Sequence, residues 1–391
     1  MKPAYTRAAL AVTVALGMLS VVPGVAFAAN PSCGDTIMTN VTLTSDMDCS
    51  SSGGYGLIFG KGGLTINLNG HALIGPAGDD TYYGVYTDGK KNVTVKNGTL
   101  ANWGYGLYSY YTVGGTYKNL TINGDSQAYE EGVFIYYGAD NLVNNVTTND
   151  VGYGIDVEYS GGNWVTNNTV NNGYESFYVS VENGSHFSGN HANGYSNYGF
   201  YEYESSRNVY TNNHANAMGQ GGSLGFYMSC DEYGWVTLLN NTSTGNSSYG
   251  FEVYECWDYY AGYGGIHGSL ISGNTANDNT GGGFYDYYSL QATYTNNTAK
   301  RNGSEGFYMD YPGGITFKGN VANRNDGSGI YFDDTDDYGG FYGRPKTVKN
   351  NTAKRNDDYG IYSDAGIGGA TGNVARYNGY APDNCYNISC N

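Results

Sequence analysis

Proline is scarce in this chain, 7 of 391 residues, and Lys and Arg together number only 18 against 35 Asp and Glu. The formal charge of −17 argues against nucleic acid or an anionic lipid surface as partner. Beyond the N-terminal segment no apolar run approaches the length that spans a bilayer. Helix-forming runs of Ala, Leu, Glu and Lys are missing, and no CxxC occurs. What is abundant is Gly (62), Tyr (43) and Asn, a composition suited to short strands and tight turns. Regularly spaced Phe, Ile, Val and Leu supply a core and argue against disorder.

Lys2 and Arg7, an apolar stretch from Ala8 to Val22, and Ala26-Phe27-Ala28 together read as a signal peptide over 1–28. Its loss removes two cations and no acid, taking the charge from −17 to −19. The mature chain is expected to be secreted and extracellular. Six cysteines in such a compartment suggest three disulfides, with Cys33–Cys49, Cys230–Cys256 and Cys385–Cys390 the simplest of fifteen pairings. Free thiols holding a metal are the alternative.

A Gly-apolar-Tyr unit recurs through most of the chain, as in YGVYTD at 83, YGLYSY at 105, YGFYEY at 198, GGFYDY at 282 and YGIYSD at 359. Most intervals are 22 to 26 residues. Alternation from each glycine sends Val85, Leu107, Val133, Ile155, Phe177, Phe200, Phe226, Phe251, Phe284, Phe307, Ile330 and Ile361 inward. Their successors, Tyr86 through Tyr362, form an outer column in which ten of twelve positions are aromatic, Asp156 and Glu252 being the exceptions. A second recurring element, NNT or GN, predicts an asparagine ladder of Asn145, Asn168, Asn190, Asn213, Asn241, Asn274, Asn297, Asn320, Asn351 and Asn373. The expectation is an all-β parallel solenoid of about 13 turns with a disulfide-closed N-terminal cap. Its domain occupies 29–391: cap and first turn over 29–82, repeats over 83–378 and a C-terminal cap over 379–391.

This repeat, its Asn corner and the strings CGDTI at 33, TLTSDMDC at 42 and LTINLNGHALIG at 64 resemble the pectate-lyase-like superfamily of secreted right-handed parallel β-helix proteins. The resemblance runs from 33 to about 378 and implies architecture more firmly than activity. Members include polysaccharide lyases, glycoside hydrolases, uronate epimerases and non-catalytic or copper-accessory proteins. The NTD and RIK strings of pectin-type hydrolases and the DPHE of alginate epimerases are absent, and no Lys or Arg lies between Arg207 and Lys300 to serve a pectate-type lyase.

The remaining chemistry is acidic and aromatic. CDEYG at 230, FEVYECWDYY at 251 and FDDTDDYGG at 332 gather carboxylates beside the tyrosines, and Glu252, Asp286, Asp310 and Asp333 are the candidate catalytic acids. A solvated acidic face, or a Ca²⁺ site using Asp333, Asp334 and Asp336, is the simpler alternative. Glu202 and Asp286 fall on inward positions, where a buried carboxylate is costly; a bulge turning them outward is expected. His191 and His214 occupy equivalent places on consecutive turns and offer two imidazoles to Cu or Zn, or else an exposed turn position. Tyr201, Tyr227, Tyr254, Tyr285, Tyr287, Tyr308 and Tyr331 are the expected glycan-contacting residues. The leading expectation is therefore a secreted β-helix that contacts polysaccharide or cell-surface glycan, as a polysaccharide lyase or glycoside hydrolase if it is an enzyme. A self-associating, non-catalytic surface or matrix protein is the alternative, and a copper-accessory protein the third.

Overall fold

The computed structural model describes residues 30–390 except 53, 79–80, 126–129, 218–220, 232–233, 257–267, 334–345 and 380–383. Its described elements are strands, all paired in parallel, with no helix among them. Fifteen strands, from Asp35–Ile37 to Cys385–Tyr386, form one sheet along the coil. At the parallel spacing of about 4.8 Å that sheet extends roughly 65 to 70 Å. The sequences at either end that look like caps thus contribute its outermost strands. The other strands run as two further rows, which merge through the eight-residue strands Thr94–Ala101, Thr116–Asn123 and Leu142–Asn149. From Trp164–Thr166 and Thr169–Asn171 onward each long strand is split in two. The coil makes about 14 turns, one more than expected.

The core is a stack of like on like. Phe177, Phe200, Phe226, Phe251, Phe284 and Phe307 lie ring on ring at 4.5 to 4.8 Å. Glycine precedes five of the six, with Ser176 before Phe177, and backbone approaches it closely: a Cβ on Gly199 would sit 2.7 Å from the Gly225 carbonyl oxygen of the next turn. Three disulfides join the expected pairs, and Cys230–Cys256 links vertical neighbours with Cα atoms 4.8 Å apart.

The asparagine ladder runs from Asn168 to Asn373. Each buried amide oxygen accepts from the backbone N–H and side-chain NH₂ of the asparagine one turn earlier, as Asn213 does from Asn190 at 2.9 and 3.0 Å. Asn145 is not a member. Val146 occupies that position and donates its N–H to Asn168, while Asn145 lies one residue out and bonds Asn119. Thr147 pairs with Thr169, so the NNVT string at 144 reaches the corner one residue later than the NNT string at 167. A second buried ladder, Asn246, Asn279, Asn302, Asn325, Asn356 and Asn378, lines the return to the first sheet.

Glu202 and Asp286 remain inside, 0% and 1% exposed, so the expected bulge is not what the chain uses. The register shift beside Glu202 begins after it. Each acid faces a buried tyrosine eight residues on. Tyr294 donates to Asp286 at 2.5 Å, and Tyr210 stands beside Glu202. Ser109 and Tyr117 are the uncharged version of the same pair, at 2.6 Å.

Three corners close each turn through residues at positive φ. The second corner, between the two rows, uses Asn or Gly almost throughout, as at Asn97, Asn119, Asn167, Gly189 and Asn212. Those residues adopt the left-handed region most cheaply. The first corner, after the first sheet, instead places Tyr111, Tyr137, Tyr159 and Val181 there on consecutive turns. The third corner, leading back to the first sheet, carries Asn102, Asp150, Asn172 and Asp278 and then three arginines.

Candidate functional site

Strands Tyr105–Tyr110, Glu131–Tyr136, Tyr153–Glu158 and Glu175–Ser180 lie side by side in the first sheet. Their register aligns Tyr105, Glu131, Tyr153 and Glu175 in one column, and Tyr108, Phe134, Asp156 and Tyr178 in another. The intervening glycine (Ser176 in the last strand) drops out of the paired register, so residues three apart face outward together; Tyr105 and Tyr108 touch ring to ring at 5.4 Å. Asp156 is thereby placed between Glu131 and Glu175 of the flanking strands, with Glu158 two residues further along.

This is the least ordinary chemistry on the outer surface. Asp156 is only 4% exposed although it belongs to the outer column, because Phe134, Tyr153 and Tyr178 crowd it. Oδ1 of Asp156, Oε2 of Glu131 and Oε2 of Glu175 are sealed from solvent and have no hydrogen-bond partner. Glu175 keeps one bond, from Asn197 at 2.9 Å. The ion pairs among the described residues, His71–Asp46, Lys90–Asp88 and Arg301–Asp278, supply no cation here. Burial drives the carboxyls of Glu131 and Asp156 well above the ordinary carboxylate range, and Asp156 is raised further by Glu131, Glu158 and Glu175. Burial also raises Glu158 and Glu175, the latter offset by Asn197. Tyr153 is pushed up to about 12 by burial and then by Glu175 and Asp156. Like charges crowded in a dry site cannot all ionise, so the group holds a proton where isolated carboxylates would have lost theirs.

A wall of exposed rings borders this group on the first corner. Tyr111, Tyr137 and Tyr159 stack at 4.9 and 5.1 Å and are 50%, 39% and 45% exposed. All three sit at positive φ, where tyrosine is strained by about 1 to 2 kcal/mol and asparagine would fit more easily. Glu158 and Tyr136 connect wall to acids; Tyr136 meets Tyr137 and Tyr159 edge to face.

The expected glycan-contacting tyrosines do share one face. Tyr201 stacks on Tyr227, Tyr254 on Tyr287, and Tyr285 on Tyr308 on Tyr331. Three of their hydroxyls are used within the coil: Tyr285 donates to Asp310 at 3.2 Å, Tyr308 to Asp333 at 2.9 Å and Tyr331 to Asp364 at 3.2 Å, each one turn onward. Asp310 is raised to about 6 by burial and by Asp333. Glu252, also raised by burial, interrupts the outer column between Tyr227 and Tyr285. Asp286 lies inside and does not join Glu252, Asp310 and Asp333 on the outer face. His191 and His214 stack at 4.9 Å, yet no group of three or more metal-ligating side chains occurs among the described residues. Asp334, Asp336 and Asp258 lie outside the described residues.

Glu131, Glu175 and the Tyr111–Tyr159 wall escaped the sequence reading. Their signal was present in EEGVF, YGIDVE and YESFY, where acids interrupt otherwise aromatic positions on three consecutive turns. It was missed because the acids belong to two columns and become neighbours only across the glycine kink.

No curated protein matches the sequence. Among solved structures the fold is similar to the periplasmic alginate epimerase AlgG, at 13% identity over 82% of this chain and 77% of that one, with a TM-score of 0.53. It is also similar to the A-module of the mannuronan C-5 epimerase AlgE4 of Azotobacter vinelandii, at 13% identity over 85% and 88% of the two chains, with a TM-score of 0.50. No helix of the described residues is long and apolar enough to cross a membrane. Residues 83–256 and 259–375 match the family described as right handed beta helix region, and the chain belongs to that family.

Proposed function

We propose that this protein is an exported, carbohydrate-active β-helix that holds a polysaccharide across the outer face of its first sheet. The reacting segment is placed at Glu131, Asp156 and Glu175, and the neighbouring sugars against Tyr111, Tyr137 and Tyr159. The observation that carries this reading is the set of outward carboxylates sealed from water with unpartnered oxygens, because a fold does not keep such groups for stability. The two similar structures, both epimerases named for alginate or mannuronan, favour a polysaccharide as the ligand. A crowded acid group without a cation suits glycoside hydrolysis better than uronate lysis. One carboxylic acid protonates the glycosidic oxygen while an ionised neighbour attacks the anomeric carbon or activates water; water supplies the new hydroxyl of the released end.

The full chain is to be incubated with neutral glucans, mannan, xylan, polygalacturonate and alginate. New reducing ends report hydrolysis, unsaturated uronate absorbance reports lysis, and anomeric proton signals report epimerisation. The expected result is turnover of at least one glycan, reduced about 100-fold or more by Asp156→Asn or Glu131→Gln. Activity should fall as pH rises through the raised carboxyl, since the acid is then lost. Silence across the panel, or full activity in both variants, overturns the enzyme reading. The non-catalytic alternative finds its support in the Tyr285, Tyr308 and Tyr331 hydroxyls, which bond Asp310, Asp333 and Asp364 as a structural ladder would.

A further inference from the structure

On an acidic chain the third corner of the C-terminal turns is conspicuously basic. Arg301, Arg324 and Arg355 follow one another on consecutive turns, each bonded through its backbone N–H to the next turn. Lys300 and Lys354 precede two of them, and Arg376 pairs in register with Lys354. Together with Asn323 the first five of these cations line an open groove of about 280 Å³. Asp278 takes one of them, both oxygens meeting the Arg301 guanidinium at 2.6 Å. Arg324, Lys354 and Arg355 form no ion pair among the described residues, although Asp326 lines an adjoining recess.

The backbone gives a second, independent sign. These arginines stand at φ values of 54° to 58°, in a corner that earlier turns fill with Asn102, Asp150, Asn172, Gly194, Gly245 and Asp278. Three consecutive turns therefore forgo the residues that fit the corner best and stack like charges about one strand spacing, some 4.8 Å, apart. Stability alone would choose asparagine on both counts. Asp278 answers Arg301, whereas Arg324 and Arg355 form no ion pair among the described residues.

We propose that this corner is a binding track for a linear polyuronate, whose carboxylates follow the Arg301–Arg324–Arg355 line. The track is one cation wide in its arginine column and runs along the coil, which matches a single polymer strand. A nucleic-acid duplex presents two backbones, and the surrounding acidic surface would repel the second. The exposed ring of Tyr377, next in the column after Arg355, extends the track toward the chain end. The track lies on a different corner from the Tyr111–Tyr159 wall, so it anchors the protein to an acidic matrix whatever the outer carboxylates do.

Affinity electrophoresis of the full chain in gels containing polygalacturonate, dextran or no polymer tests this. Polygalacturonate should retard the protein, and sodium chloride should weaken the retardation steeply. Arg324→Asn with Arg355→Asn, which the corner accommodates, should lower apparent affinity about 10-fold or more. Arg324→Lys with Arg355→Lys should keep most of it, and Lys61→Asn with Lys91→Asn, the same loss of charge at exposed cations near the other end of the coil, should leave it unchanged. Equal retardation by dextran, retention unaffected in the double asparagine variant, no retardation at all, or stronger binding of single-stranded DNA than of polygalacturonate would each overturn the proposal.

Discussion

Replacing Asp286 by asparagine removes an acid from the middle of the core while leaving an oxygen to accept the Tyr294 hydroxyl. Burial, opposed by Ser289 and Tyr294, moves this carboxyl from 3.8 to about 6. A folded-state value above the unfolded one means that the folded protein prefers the protonated acid. Its contribution is intact below about pH 4 and is lost as pH rises through about 6. Carried through the linkage relation, the loss is roughly 3 kcal/mol by neutral pH. The aspartate and asparagine proteins are compared by urea unfolding, followed by circular dichroism, at pH 3.5 and pH 7.5. Other carboxylates titrate in both and cancel. The stability difference should move by about 3 kcal/mol in favour of the asparagine variant between the two pH values. A difference that stays constant, or moves the other way, refutes the interior assignment of this carboxylate.

Two further changes probe the coil itself. Asn274→Ala leaves the N–H and NH₂ of Asn241 without their acceptor and should cost about 2 to 4 kcal/mol in the same unfolding measurement. Val181→Asn should add about 1 kcal/mol, since a β-branched residue at φ 50° is relieved by one that tolerates the left-handed region.

The legible part of this fold was everything that repeats vertically. The glycine column, the Phe stack, the Asn168–Asn373 ladder and the Cys230–Cys256 pair follow from register alone, because a solenoid turns sequence spacing into contact. What depends on horizontal neighbours was harder to read. Asp286 and Tyr294, Glu202 and Tyr210, and Ser109 and Tyr117 are the same pair used three times, each polar residue answered by a tyrosine eight positions on. Seen one column at a time, the acids suggested a bulge; seen with the facing column, they are core groups, Asp286 accepting from Tyr294 and Glu202 standing beside Tyr210. The Asn246–Asn378 ladder was equally visible five residues after the first, but variable residues between the two hid it. Glu131, Asp156 and Glu175 required knowing how the glycine kink brings two outer columns together. The C-terminal carboxylates are conspicuous in the sequence by their number, whereas the N-terminal group is set apart by having three acids with unpartnered oxygens together on the outer columns of neighbouring strands.

Asp156 can be observed directly in protein carrying ¹³C at its aspartate carboxyl carbons, with the Asp156→Asn spectrum identifying its resonance. If it stands between Glu131 and Glu175 on the outer face, it titrates well above pH 4, and Glu131→Gln brings the midpoint down without restoring the ordinary value. A midpoint in the ordinary carboxylate range, or one indifferent to Glu131→Gln, would contradict the placement on which the proposed site rests.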